Sequence, residues 1–202
     1  MPAKPSDNTV SFIIKPVLFL LCLTPLAGLA WGAINNELGA NPVEAMTRET
    51  GEWTLRFLLL TLMVTPARKL LSWSWLIKFR RMLGLFVFFY AVMHLLTYIW
   101  FDQYFDISEI VKDIIKRPFI TVGFTAFVLL IPLAVTSNKI MIRRLKHNWI
   151  KLHKLVYLIA VLGLLHFVWL VKANCLQPVI YMFILLPLLL YRAYFERMKN
   201  RS

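Results

Sequence analysis

Apolar residues run in long blocks along this chain, and polar residues gather between them. A helix that crosses a bilayer needs about 20 mostly apolar residues, within a range of about 17–25. Such blocks occupy about residues 17–34, 54–66, 83–101, 118–136, 153–171 and 178–195. The second block is the weakest: "WTLRFLLLTLMVT" is short, carries Arg56 and meets Pro66. It either tilts, or extends through "PARKLL" as a kinked helix, or lies on the surface and leaves five spans. The pattern therefore predicts an all-α fold, a polytopic membrane bundle of about six transmembrane helices, with 1–202 as one domain. The first block follows Lys4 and Lys15 and contains "LAGLA", as a cleaved secretory signal would. It continues through "WGAI", however, and its length predicts a retained first helix.

The polar segments add direction. Those before the first block, between the second and third, between the fourth and fifth, and after the sixth hold most of the 23 Lys and Arg residues. They hold only two acids, Asp7 and Glu196. The other eight acids lie in the alternate segments, "NNELGANPVEAMTRETGEW" and "FDQYFDISEIVKDIIKRP". Lys and Arg concentrate in cytoplasmic loops, so both termini are expected in the cytoplasm. Within the second outer loop Phe105, Ile107, Ile110, Val111 and Ile114 recur at roughly helical spacing, which predicts a short surface helix.

Composition agrees with lipid as the solvent. The chain of 202 residues is 59% hydrophobic, against about 45–50% for a soluble domain. A net charge of +13 would suit nucleic acid if it formed one patch, but here it is dispersed between apolar runs, so no nucleic-acid partner is expected. Cys22 and Cys175 are a distant pair with no disulfide framework. There is no glycine-rich phosphate loop and no CxxC motif. Trp73, Trp75, Trp100 and Trp149 fall near block ends, where tryptophan collects at membrane interfaces.

Four histidines remain. His147 lies in the basic loop "RRLKHNWIK" and reads as solvated. His94, His153 and His166 fall inside or at the edge of the third and fifth blocks, where ionisable groups are costly and point to function. Those blocks both start at the cytoplasm. His94 follows Arg80 by 14 residues and His166 follows His153 by 13. If Arg80 and His153 mark one inner level, His94 and His166 share an outer level, about 20 Å away along the helix. Two imidazoles at one depth suit the axial positions of a b-type haem, and an apolar bundle can solvate its porphyrin. The inner level has His153 facing Arg80 or Arg81. At about 100° per residue, 13 residues place two side chains roughly 140° apart, so a bend or π-bulge is expected between His153 and His166, with Gly163 as its place.

The ordered stretches "LGANPVE", "RFLLLTLMVTPAR", "RRMLGLFVFFYAVMHL", "KRPFITVG" and "VTSNKIMIRRLKHNWIKLHKLVYLIAVLGLLHFVW" resemble the ferric-reductase-like transmembrane family over about residues 17–195. The resemblance implies haem b held by His94, His166 and His153, as one haem or two. Larger relatives carry two histidines on each of two helices; this chain has Arg80 where the fourth is expected, and an arginine there suits a haem propionate or a flavin phosphate. The flavin and nicotinamide domains of those relatives are missing. The resemblance thus implies a non-catalytic electron-transfer subunit in a bacterial inner membrane. Its donor would be a cytoplasmic flavin reductase or the quinone pool, with FMN associated, and its acceptor MsrP, a periplasmic molybdenum-dependent methionine sulfoxide reductase active in protein repair. Arg68, Lys69, Arg143, Arg144 and Lys146 could attract the FMN phosphate by charge or simply set topology. Two other functions are compatible with the same residues: a self-sufficient haem-dependent metal-ion or quinone reductase, and a haem-free transporter or structural membrane protein.

Overall fold

The computed structural model describes residues 7–171 and 176–199; Lys4 and Cys175 lie outside them. Every regular element among the described residues is helical. The chain forms two compact units, Met1–Phe105 and Asp106–Ser202.

The first unit is built from three long helices. A helical turn, Asp7–Thr9, and a π-helical turn, Val10–Ile14, lead into α1, Lys15–Ile34. Next come α2, Pro42–Leu70, and α3, Ile77–Thr97, which ends in a second π-helical turn, Tyr98–Asp102. The start of α2 is written locally: Pro42 stands in the first turn and the Asn41 side chain accepts from the Glu44 amide at 3.2 Å, an N-cap that satisfies one orphan donor. α2 and α3 run antiparallel. Thr47 meets His94 at one end, Phe57 stacks on Tyr90 and Phe86 in the middle, and Gly84 approaches Thr61 further along. Leu55, Leu58, Leu62, Leu83 and Val87 fill the seam.

α1 joins α3 through Phe19, whose ring centroid lies 5.2 Å from that of Phe86, and through one buried hydroxyl. Pro25 has no amide hydrogen and strips the Leu21 carbonyl of its helical donor; the Thr24 hydroxyl donates to that carbonyl instead, at 2.8 Å. One residue on, the fully buried Tyr90 hydroxyl of α3 donates to the Cys22 carbonyl at 2.8 Å and accepts from the Leu26 amide at 3.3 Å. Those two groups are the partners of one regular helical bond. The tyrosine thus ties α3 into the proline-disturbed turn of α1, beside the free buried thiol of Cys22.

The second unit contains α4, Ile107–Lys116; α5, Pro118–Val135; α6, Lys139–Leu145; α7, His147–His153; α8, Leu155–Leu170; and α9, Leu176–Lys199. α4 is the expected surface helix of the loop. Asp106 caps it through bonds from Ser108 and Glu109, and Ile107, Val111 and Ile115 stand exposed along it. α5 and α8 form an antiparallel pair around Ala126, Leu130, Val156, Ile159 and Ala160. Phe167 of α8 meets Tyr181 of α9 with ring centroids 5.7 Å apart.

Among the described residues, five helices are long and apolar enough to cross a membrane: Val10–Ile34, Ser74–Asp102, Pro118–Val135, His147–Leu170 and Leu176–Phe195. They match the first and the third to sixth expected blocks. The second block differs. It is one helix of 29 residues, running unbroken through Pro66, about 43 Å long at ~1.5 Å per residue. Its start lies well before residue 54 because its N-terminal half is polar and internally paired, which hides it from a hydropathy reading. Exposed Leu20, Val128, Phe183 and Leu190 on the other spans present the surface that lipid solvates.

Tyr90→Phe tests the α1 joint. It keeps the ring stacking and removes the bridging hydroxyl, so thermal unfolding in detergent should show a loss of about 1–2 kcal/mol. An unchanged melting temperature would show that the bridge contributes nothing.

Candidate functional site

His94 stands near the end of α3 and points across to the start of α2. Its Nδ1 lies 2.8 Å from the Thr47 carbonyl oxygen. A carbonyl can only accept, so Nδ1 carries the proton, and a neutral ring then has its lone pair on Nε2. The ring also lies against Gly51, whose position leaves room for it: a Cβ there would stand 3.0 Å from both Cε1 and Nδ1 of His94. The Thr47 hydroxyl oxygen next to this contact is buried and has no hydrogen-bond partner.

His166 repeats the arrangement in the second unit. It stands near the end of α8, and its Nδ1 lies 2.7 Å from the Phe119 carbonyl oxygen at the start of α5. The same reasoning puts its lone pair on Nε2. The ring rests against Gly123, where a Cβ would come within 2.7 Å of Nδ1 and 2.9 Å of Cε1. Phe119 itself stands beside it, with ring centroids 6.3 Å apart.

His153 is held differently. It closes α7, at the other end of the α5–α8 pair, and stacks on Trp149 at 4.0 Å between centroids. Its Nε2 lies 3.1 Å from the Thr136 hydroxyl, which itself donates to the Pro132 carbonyl at 2.6 Å. The one Thr136 hydroxyl proton has both the Pro132 carbonyl and His153 Nε2 within reach, so this contact, unlike the carbonyl contacts of His94 and His166, works with either neutral tautomer of the ring. Trp149 donates its indole N–H to the Thr136 carbonyl at 3.0 Å, which fixes the ring on which His153 stacks.

His166 bonds Phe119 near the start of α5, and His153 bonds Thr136 just past its end. The bend expected at Gly163 is not found there. α8 is regular through Gly163, and the break falls at Lys154, between α7 and α8. There Lys154 and Tyr157 each bond three residues back, at 3.2 and 3.1 Å, a tighter 3₁₀-type turn that resets the helix phase.

The remaining expected residues are more dispersed. Arg80 is half-buried on α3, 14 residues before His94. His147 is exposed at the start of α7. Arg68 and Lys69 sit in the last turn of α2, and Arg143 and Arg144 in the last turn of α6, where cations complement the helix dipole. Tyr90 is committed to the α1 joint, and the Arg192 guanidinium lies 5.8 Å from the Tyr157 ring centroid. Thr47, Gly51, Phe119 and Gly123 were not anticipated. Their available signal was a lone glycine inside each helical pattern, "RETGEW" and "ITVGFT", each 43 residues before a histidine.

A polar cluster adjoins the His94 contact. Glu52, buried on α2, accepts from Arg48 Nε at 3.1 Å and from Arg56 Nη2 at 2.5 Å. The Arg56 guanidinium lies 4.6 Å from the Trp53 ring centroid. No three His, Cys, Asp or Glu side chains converge on a metal position among the described residues. A porphyrin supplies four ligands of its own and asks the protein for one or two imidazoles. Two histidines preset with the lone pair on Nε2, each seated where a Cβ would intrude, fit that demand.

Comparison with known proteins agrees. The family model described as "Ferric reductase like transmembrane component" matches residues 50–164. The chain is 52% identical over 196 residues to "Protein-methionine-sulfoxide reductase heme-binding subunit MsrQ" of Herminiimonas arsenicoxydans, covering 94% of this chain and 90% of the relative. It is 47% identical over 194 residues to the protein of the same description from Caulobacter vibrioides, covering 96% and 90%. The chain belongs to the ferric-reductase-like transmembrane family, in its MsrQ branch. A further MsrQ relative, from Azospira oryzae, is 52% identical over 194 residues, covering 95% of this chain and 83% of the relative. The matched family region takes in Gly51, Arg80, His94, Gly123 and His153, and stops two residues short of His166. No solved structure matches the chain at comparable significance.

Proposed function

We propose that this chain is the haem b electron-transfer subunit of a bacterial inner-membrane methionine sulfoxide reductase system. It passes electrons from a cytoplasmic flavin reductase or the quinone pool to the periplasmic enzyme MsrP, which supports repair of oxidised periplasmic proteins. The observation that carries this reading is the pair of histidines bonded through Nδ1 to helical carbonyls. The heme-binding subunits named among its relatives, at about half identity over nearly the whole chain, support it independently. So does the alternation of basic and acidic loops, which favours six spans with both termini in the cytoplasm. In this reading α2 is the sixth span, its polar residues hidden by ion pairing and by α3.

The residues divide the work. His94 and His166 would both hold one haem near the periplasmic side, each through its Nε2. Bound there, haem b supplies a reversible one-electron site. The carbonyls of Thr47 and Phe119 hold each ring's tautomer and raise its basicity as a ligand. His153 belongs to the electron input at the cytoplasmic side, either as ligand of a second, weaker haem or as part of an FMN contact, with Arg80 pairing to a propionate or phosphate.

His94→Ala and His166→Ala should each abolish the same b-type bands in a reduced-minus-oxidised spectrum, while His147→Ala leaves them unchanged. Full haem loading with wild-type bands in either of the first two would remove the shared site.

His153→Ala should spare those bands and slow their appearance on reduction by the cytoplasmic donor. Unchanged reduction kinetics at full loading would take His153 off the electron path.

A further inference from the structure

In an α-helix each Cβ leans toward the N-terminus, so the side chain at residue i+4 lies over the carbonyl of residue i. That carbonyl already accepts from the amide of residue i+4. A bulky outside ring reaches it more closely when residue i+4 has no side chain. Here both histidine rings bond such carbonyls, and in both cases residue i+4 is glycine: Thr47 with Gly51, and Phe119 with Gly123. The separations repeat as well, with 47 residues from carbonyl to histidine in each unit.

We propose that Gly51 and Gly123 are positioning residues for the two haem ligands, an assignment that rests on the haem reading above. Their missing Cβ opens the carbonyl to the imidazole N–H, which selects the Nε2-ligating tautomer and orients the ring. The two sites differ in tightness. A Cβ at Gly51 would stand 3.0 Å from the ring, a contact a small tilt relieves. At Gly123 it would stand 2.7 Å from Nδ1, 2.9 Å from Cε1 and 3.1 Å from Cγ of His166. That ring cannot stay in place, and its bond to the Phe119 carbonyl breaks. Gly28 and Gly84 lack this relation. Gly28 has nothing within 4 Å of its Cβ position, and Gly84, on the same helix as His94, has only Thr61 Cγ2 at 3.8 Å.

The test uses the full-length haem-loaded protein with Gly51→Ala, Gly123→Ala, and Gly28→Ala and Gly84→Ala as controls. Losing the ring's carbonyl bond weakens metal binding by about 10–100-fold in comparable sites. Haem affinity should therefore fall by that order in Gly123→Ala and less in Gly51→Ala. The midpoint potential of the retained haem should rise, because a less basic imidazole favours the ferric state less. Both controls should match wild type. Wild-type affinity and potential in both Gly51→Ala and Gly123→Ala would overturn the assignment.

Should either alanine variant fold poorly, the double variants Gly123→Ala/His166→Ala and Gly51→Ala/His94→Ala decide. Removing the ring removes the clash, so each should melt no lower than the matching His→Ala single variant. A double variant as unstable as its glycine single variant would also overturn the assignment. If His94→Ala and His166→Ala retain haem, the haem reading fails instead, and the melting comparison still judges the glycines.

Discussion

The bond from a histidine Nδ1–H to a helical carbonyl is the interaction on which the rest of the site depends. An imidazole inside an apolar bundle must find a partner for its N–H, since an unpaired polar group there costs several kcal/mol by order of magnitude. Few partners exist between spanning helices, where backbone groups already bond each other. A carbonyl left uncovered by glycine is one that costs the helix nothing, because a carbonyl oxygen has two lone pairs. Using it settles three properties at once: the proton sits on Nδ1, the lone pair on Nε2, and the ring is pinned at a depth set by the helix start. In each unit the long antiparallel pair exists to bring the end of one helix against the start of the other. α2 with α3, and α5 with α8, are two solutions of that one problem.

The same economy explains the other polar groups within the spans. Tyr90 finds its partners in a turn of α1 disturbed by Pro25. Thr136 serves His153 through its hydroxyl and Trp149 through its carbonyl. Glu52 is enclosed by Arg48 and Arg56 one turn to either side on its own helix. Buried charge of this kind is tolerable only when paired, and here the pairing is local in sequence, so α2 carries its own neutralisation.

The legible and illegible parts of the sequence follow from this. Five spans were readable because lipid-facing helices are apolar on every side and hydropathy sums over them. α2 was shortened because its charges neutralise one another through side-chain geometry, which hydropathy counts as polarity. The three candidate histidines stood out because an ionisable group in a greasy block is costly. Their phase problem was legible too, but its solution at Lys154 was not: a 3₁₀-type turn is made by backbone bonding and leaves no residue signature, whereas Gly163 looked like a breaker and is regular helix. Gly51 and Gly123 were visible only as isolated glycines. Their meaning depends on which side chain approaches from the neighbouring helix, which is tertiary information.

The central claim is that carbonyl-anchored His94 and His166 bind one haem iron together. Pulsed electron–nuclear double resonance on the oxidised, haem-loaded protein, prepared with ¹⁵N-labelled histidine, tests it most directly. The account predicts a low-spin ferric haem with two strongly coupled histidine nitrogens, and an exchangeable proton on the remote nitrogen of each ring. A single coupled histidine nitrogen, or none, would contradict it.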